Sequence, residues 1–501
     1  MEALDWLVIG VFFLALIGII VWVVRQKQND SADYFLGGRD ATWLAIGASI
    51  FASNIGSEHL IGLAGAGASS GMAMAHWEIQ GWMILILGWV FVPFYSRSMV
   101  YTMPEFLERR YNPQSRTILS VISLVSYVLT KVAVTVYAGG LVFQQVFGIK
   151  ELWGIDFFWI AAIGLVVLTA LYTIFGGMKS VLYTSVLQTP ILLLGSLIIL
   201  VLGFKELGGW DEMMRVCGAV TVNDYGDTMT NLIRSNDDAN FPWLGALIGS
   251  AIIGFWYWCT DQFIVQRVLS GKNEKEARRG TIFGAYLKLL PVFLFLIPGM
   301  IAFALHQKYI GAGGEGFLPM LANGTANADA AFPTLVAKLL PAGVKGLVVC
   351  GILAALMSSL ASLFNSSAML FTIDFYKRFR PETPEKKLVG IGQIATVVIV
   401  ILGILWIPIM RSVGDVLYTY LQDVQSVLAP GIAAAFLLGI CWKRTSAQGG
   451  MWGLIAGMVI GLTRLGAKVY YSNAGEVADS TFKYLFYDMN WLFFCGWMFL
   501  L

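Results

Sequence analysis

The chain has 501 residues, of which 57% are hydrophobic and 13% charged, and its mean hydropathy is +0.72. A soluble protein carries about twice that share of charge, so a soluble globular fold is excluded. A net charge of +2 with no basic block offers nucleic acid no surface, and three histidines with five scattered cysteines (Cys217, Cys259, Cys350, Cys441, Cys495) argue against a metal centre.

Apolar runs of about 20 residues fill the rest, the pattern of an all-α polytopic membrane protein. A membrane β-barrel would show alternating segments of about ten residues instead. The first run has no basic region before it and no small-residue cleavage site after it, so a retained helix is expected there, not a signal peptide. In chain order the runs fall near 6–24, 43–71, 79–96, 117–147, 157–175, 181–203, 243–266, 281–305, 344–373, 388–410, 416–440, 449–470 and 482–501, about 13 transmembrane helices with the last the weakest. Connections on one side of these spans hold 20 Lys and Arg, those on the other 11, and Lys131 and Lys288 fall inside spans. The bias places the N-terminus outside and the C-terminus inside.

Two spans are interrupted, the second (43–71) and the seventh (243–266), five spans apart as the first helices of two five-helix halves would be. Interrupted helices at corresponding positions point to a transporter's binding site. In "FASNIGSEHLIGLAGAGASSG" (51–71) the glycine tail suits close helix packing, whereas Asn54, Glu58 and His59 form a polar cluster at an expected break near 53–57. Asn54 and Glu58, four apart, face one way on a helix; Glu58 is also suited to pair with a buried lysine. Glu78 in "HWEIQGW" fits either a site or a water interface. Lys131 and Lys288 lie too deep in apolar sequence to snorkel and need partners, for which Glu58, Glu78 and Asp261 are the candidates.

"WYWC" (256–259) sets three aromatics beside Thr260, Asp261 and Gln262, as core or as a face for a polyol ring. "LMSSLASLFNSSAMLFTIDFY" (356–376) stacks hydroxyls at Ser358, Ser359, Ser362, Ser366 and Ser367. Such hydroxyls bond back to their own i−4 carbonyls or, with carbonyls freed by a broken helix, bind a hard cation such as sodium. "YTYLQDVQSVLAPG" (418–431) adds Gln422, Asp423 and Gln425. Together these residues suit a neutral polyhydroxylated solute better than an ion or a lipid.

Five segments carry a resemblance: "SNIGSEHLIGLAGAGASSG", "YTMPEFLERRY", "WYWCTDQFIVQRVLS", "LMSSLASLFNSSAMLFTIDFY" and "YLQ…APG". In this order they resemble the sodium/glucose cotransporter branch of the solute:sodium symporter family over nearly the whole chain. The resemblance implies a LeuT-like fold in one transmembrane domain (1–501): an extra N-terminal helix (6–24), two inverted five-helix repeats (43–203 and 243–440) and two C-terminal helices (449–501). It implies a sugar held by Asn54, His59, Glu78, Lys288 and Gln422, with Tyr257 as inner gate and Trp258 as a nearby wall. It implies sodium ligands at the carbonyls of Ala52, Ile55 and Ala355 and the hydroxyls of Ser358 and Ser359, with Lys131 near the same cavity. Lys131 and Asp261 are the candidate coupling residues.

The chain departs from the family at Ser185, where an aspartate implicated in cation handling is usual, and at Gly81 and Gly254, where some bacterial relatives have polar sugar contacts. The expectation is therefore a multi-pass cell-membrane symporter, not an enzyme, in which co-transported sodium drives uptake of a hexose such as glucose or galactose by alternating access. The alternatives are a sodium/myo-inositol or other polyol symporter, or a sodium- and sugar-binding sensor that does not transport. Its partners would be the solute, sodium and the lipid bilayer, with no nucleic acid; the sequence sets no oligomeric state.

Overall fold

The computed structural model describes residues 1–26, 30–56, 58–321, 324–413, 417–473 and 480–501; the side chains of residues 129, 130, 409–413, 417–423 and 472–473 are not among them. Every expected span has a helical counterpart. Nine helices among the described residues are long and apolar enough to cross a membrane. Breaks divide 43–71 and 482–501 into shorter pieces, 157–175 and 181–203 run on as one helix, Phe157–Leu207, and 117–147 is helical along its length but includes side chains outside the described set.

That long helix is bent at Gly177, whose φ of 53° and ψ of −150° are not helical. A Cβ there would collide with the Tyr34 carbonyl, so only glycine fits both the dihedrals and the contact. The Val344–Met369 helix packs along Phe157–Leu207 and forms the centre of the molecule, with 89% of its apolar window buried, against 22% for the peripheral Ala3–Val24. The central position explains why a helix so rich in serine is tolerated: its hydroxyls meet protein, not lipid.

The two interrupted helices are broken where the polar residues lie. Trp43–Asn54 ends at Ile55 (φ −76°, ψ 110°), and helical structure resumes at Glu58 as a wide π-type turn to Leu63. Trp243–Phe255 continues through a π-type turn, Trp256–Thr260, and stops at Asp261 (φ −74°, ψ 126°). The Asp261 carboxylate then caps the next helix, Gln262–Leu269, at the Phe263 N–H, 3.1 Å away.

Small residues allow close approach at the first break. A Cβ on Gly280 would lie 2.6 Å from Ile46 Cβ, and one on Gly47 2.8 Å from the Gly280 carbonyl, so Trp43–Asn54 beds directly on Glu274–Leu287. The glycine tail packs as expected: Gly65 lies against Asp329, Gly67 against the Leu296 carbonyl and Gly71 against Met229.

Candidate substrate cleft and cation site

The backbone breaks bring the polar residues of four helices to one place. Asn54, Glu58 and His59 come from the first break, Tyr257 and Trp258 from the second, and Lys288 from the end of Glu274–Leu287, just before Pro291. With Trp77, Gln80, Ile253 and Gln425 they line a cleft of about 310 Å³. The lining side chains lie close together and must part to admit a solute larger than water.

Behind the cleft is a buried polar triad. Glu78, fully buried, pairs through Oε2 with Lys288 Nζ at 2.6 Å and through Oε1 with His59 Nε2 at 3.2 Å. Lys288 Nζ is also 2.8 Å from His59 Nε2. A proton on Nε2 serves Glu78, whereas a lone pair there serves the lysine; the tautomer decides what Nδ1, which has no partner among the described residues, offers a ligand. Glu78 lies outside the cleft lining and acts on the cleft through the two side chains it holds.

Tyr257 and Asn54 stand between this cleft and a second one. The Asn54 amide donates to the Tyr257 hydroxyl at 3.0 Å, and both residues line both spaces. The second cleft, about 280 Å³, is bounded by Ser53, Gly56, Glu58, Lys131 and Ser359 among others. Lys131 pairs with Asp261 at 2.7 Å and lies 4.7 to 5.4 Å from the ring centres of Tyr127, Trp256, Tyr257 and Phe263. Asp261 also accepts from the Tyr127 hydroxyl.

The lysines thus choose Glu78 and Asp261. Glu58, the third candidate partner, forms no ion pair among the described residues and lines both clefts.

Of the oxygens expected for sodium, the Ser358 and Ser359 hydroxyls lie against the first break. The last bond of Trp43–Asn54 runs from Ile55 N–H to the Phe51 carbonyl, 3.0 Å, so the carbonyls that follow, Ala52 and Ile55 included, are those a helix end leaves without an intrahelical partner. The serine helix faces this end. Ser358 Oγ is 3.3 Å from Ser53 Oγ and 3.2 Å from Ser185 Oγ, while Ser359 Oγ is 3.3 Å from where a Gly56 Cβ would be. Ala355 lies one turn earlier and is buried. Neutral oxygens suit a hard cation. Ser362 instead bonds back to the Ser358 carbonyl at 2.7 Å, the structural use of a membrane hydroxyl.

At the departure from the family, Ser185 joins a hydroxyl chain with Ser49 (3.4 Å), to which the buried Arg267 guanidinium donates at 3.1 Å. A positive group therefore approaches the place where an aspartate is usual.

Of the expected site residues the structure assembles Asn54, His59, Tyr257, Trp258 and Lys288 around one cleft, with Glu78 behind it. Gln422 lies outside the described side chains, although its helix, Leu417–Cys441, delivers Gln425 to the cleft. Gln80 and Trp77 are not among the expected site residues, whereas Gln425 is part of the polar set noted beside Gln422. Gln425 is three residues from Gln422 and so shares its helix face, a signal present in the sequence.

Residues 34–461 match the model of the sodium:solute symporter family. Sodium/myo-inositol cotransporter 2 of Homo sapiens is 38% identical over 479 residues, covering 93% of this chain and 70% of that protein. Sodium/glucose cotransporter 2 of Rattus norvegicus is 38% identical over 512 residues, covering 98% of this chain and 75% of that protein. Among solved structures, a Na+-coupled sialic acid symporter in a substrate-bound outward-open state matches with a TM-score of 0.79 at 22% identity, over 100% of this chain and 95% of that one. The transporter MhsT in complex with L-phenylalanine matches with a TM-score of 0.54 at 12% identity, over 84% and 98% of the two chains. These likenesses show a LeuT-like, multi-pass helical fold. On its family match and on these relatives, the chain belongs to the sodium:solute symporter family of membrane transporters.

Proposed function

We propose that the protein takes up a sugar or polyol, with a hexose as the first expectation, by alternating access. Sodium is the co-transported ion. One observation carries the reading: the first helix break brings Asn54 and His59 to the cleft and, in the same turn, sets Ser53 3.3 Å from Ser358 of the serine helix. Sodium held by the carbonyls of Ala52, Ile55 and Ala355 and the hydroxyls of Ser358 and Ser359 fixes the backbone at 52–55. Fixing it orients Asn54 and His59, so ion and solute favour one another reciprocally. The membrane potential adds about 2.3 kcal/mol per charge per 100 mV.

In the cleft, Lys288 and the amides bind hydroxyls while Trp258 provides an apolar wall. Tyr257, tied to Asn54, acts as the partition that opens toward the second cleft, and the Lys131–Asp261 pair sits beside that passage as the coupling element. The two repeats, 43–203 and 243–440, move against each other around this point, with the N-terminus outside.

Myo-inositol is the second reading, supported by the 38% identity to a sodium/myo-inositol cotransporter. Both solutes present a ring of hydroxyls to the same donors. Sodium-driven uptake into proteoliposomes, compared across glucose, galactose, mannose, fructose and myo-inositol, identifies the solute. Sodium-dependent binding with no uptake would instead establish a sensor, and no response to any polyol would refute the proposal.

A further inference from the structure

Two glycines leave room for side chains that line the cleft. A Cβ on Gly81 would lie 2.7 Å from Lys288 Cγ, and one on Gly254 would lie 2.6 Å from Gln80 Oε1. Gly81 thus accommodates the stem of Lys288, a residue already placed in the site. Gly254 does the same for Gln80. The Gln80 side chain is 6% exposed, lines the cleft with His59, Lys288 and Gln425, and its Oε1 is buried with no hydrogen-bond partner among the described residues.

A buried carboxamide left unpaired is costly. Its neighbours do not relieve it: Gly254 has no side chain, and the near atom of Met83 on the same side is an apolar Cγ. Lys288 Nζ is already held by the Glu78 carboxylate at 2.6 Å and by His59 Nε2 at 2.8 Å.

We propose that Gln80 is a substrate-contacting and specificity-determining residue, whose carboxamide hydrogen-bonds one hydroxyl of the bound sugar or polyol, with Gly254 holding the space for it. The inference rests on the cleft being the solute site and names a contact within it. A carboxamide both donates and accepts. It therefore reads the position of a hydroxyl on the ring, because a substrate lacking that hydroxyl leaves the amide buried and unpaired. This arrangement rejects deoxy analogues more strongly than an apolar wall would.

The test measures sodium-dependent uptake of the best-transported polyol and of its singly deoxygenated analogues by wild type, Gln80→Met and Gly254→Ala. In the wild type, one analogue requires roughly tenfold more than the parent for half-saturation, the worth of one buried hydrogen bond. In Gln80→Met the parent weakens about tenfold and the difference between parent and that analogue disappears. Sodium binding without solute, read by tryptophan fluorescence, stays within twofold. Gly254→Ala, whose methyl displaces the Gln80 tip, abolishes the same discrimination and decides the matter should Gln80→Met fail to insert. A Gln80→Met protein that discriminates every analogue as the wild type does overturns the role of Gln80 while leaving the transport reading intact. A wild type that takes up no polyol overturns both.

Discussion

The Asn54 amide donates to the Tyr257 hydroxyl at 3.0 Å, and this one bond joins the two broken helices across the boundary between the two clefts. Removing the hydroxyl in Tyr257→Phe keeps the ring and deletes the tie, at about 1 kcal/mol. The expected outcome is a several-fold rise in the solute concentration for half-saturation and a sodium current without solute. Electrical recording from reconstituted membranes measures both, and a fully coupled variant would contradict Tyr257 as the partition.

The triad predicts a non-additive pair. Glu78→Gln leaves Lys288 buried without its carboxylate, a loss of about 3–5 kcal/mol for a broken buried pair. Glu78→Gln combined with Lys288→Met removes both charges and recovers much of the stability, though not uptake. Thermal unfolding in detergent reads the recovery, which would be missing if the two residues acted independently.

Serine substitutions separate cation ligands from structural hydroxyls. Ser359→Ala raises the sodium concentration for half-maximal uptake about tenfold. Thr169→Val, whose hydroxyl bonds back to the Leu165 carbonyl of its own helix (2.7 Å), changes it less than twofold. Sodium titration of uptake compares them, and an unshifted Ser359→Ala would remove that hydroxyl from the site.

For Lys131 and Asp261 the expectation is loss of turnover with solute binding retained. Asp261→Asn leaves an unpaired ammonium against four rings, while Lys131→Met combined with Asp261→Asn removes that unpaired charge. Solute binding to the double variant stays near wild type while uptake falls at least tenfold. Uptake at the wild-type rate would make the pair purely structural.

The sequence made the spans, both breaks and most cleft residues readable, because intramembrane Asn, His, Lys and Glu are rare enough to be noticed one by one. The pairing was not readable: two lysines and three carboxylates allow several assignments, and only the packing gives Glu78 to Lys288 and Asp261 to Lys131. Glu58, conspicuous in the sequence, has no ion pair among the described residues and borders both clefts. Gln80 is not legible for the opposite reason: a glutamine two residues past a glutamate has the pattern of an interface residue, and only the packing sets it against Gly254.

Three wide turns, Glu58–Leu63, Tyr127–Val132 and Trp256–Thr260, contain residues that line the clefts. Each inserts about one residue's worth of rotation, roughly 100°, into a regular helix. A helical wheel drawn on one side of such a turn is therefore out of phase with the other. Deleting a single residue at any of these would let the helix close into regular α turns, withdrawing the widened backbone from the cleft while leaving the distal half-helix in phase.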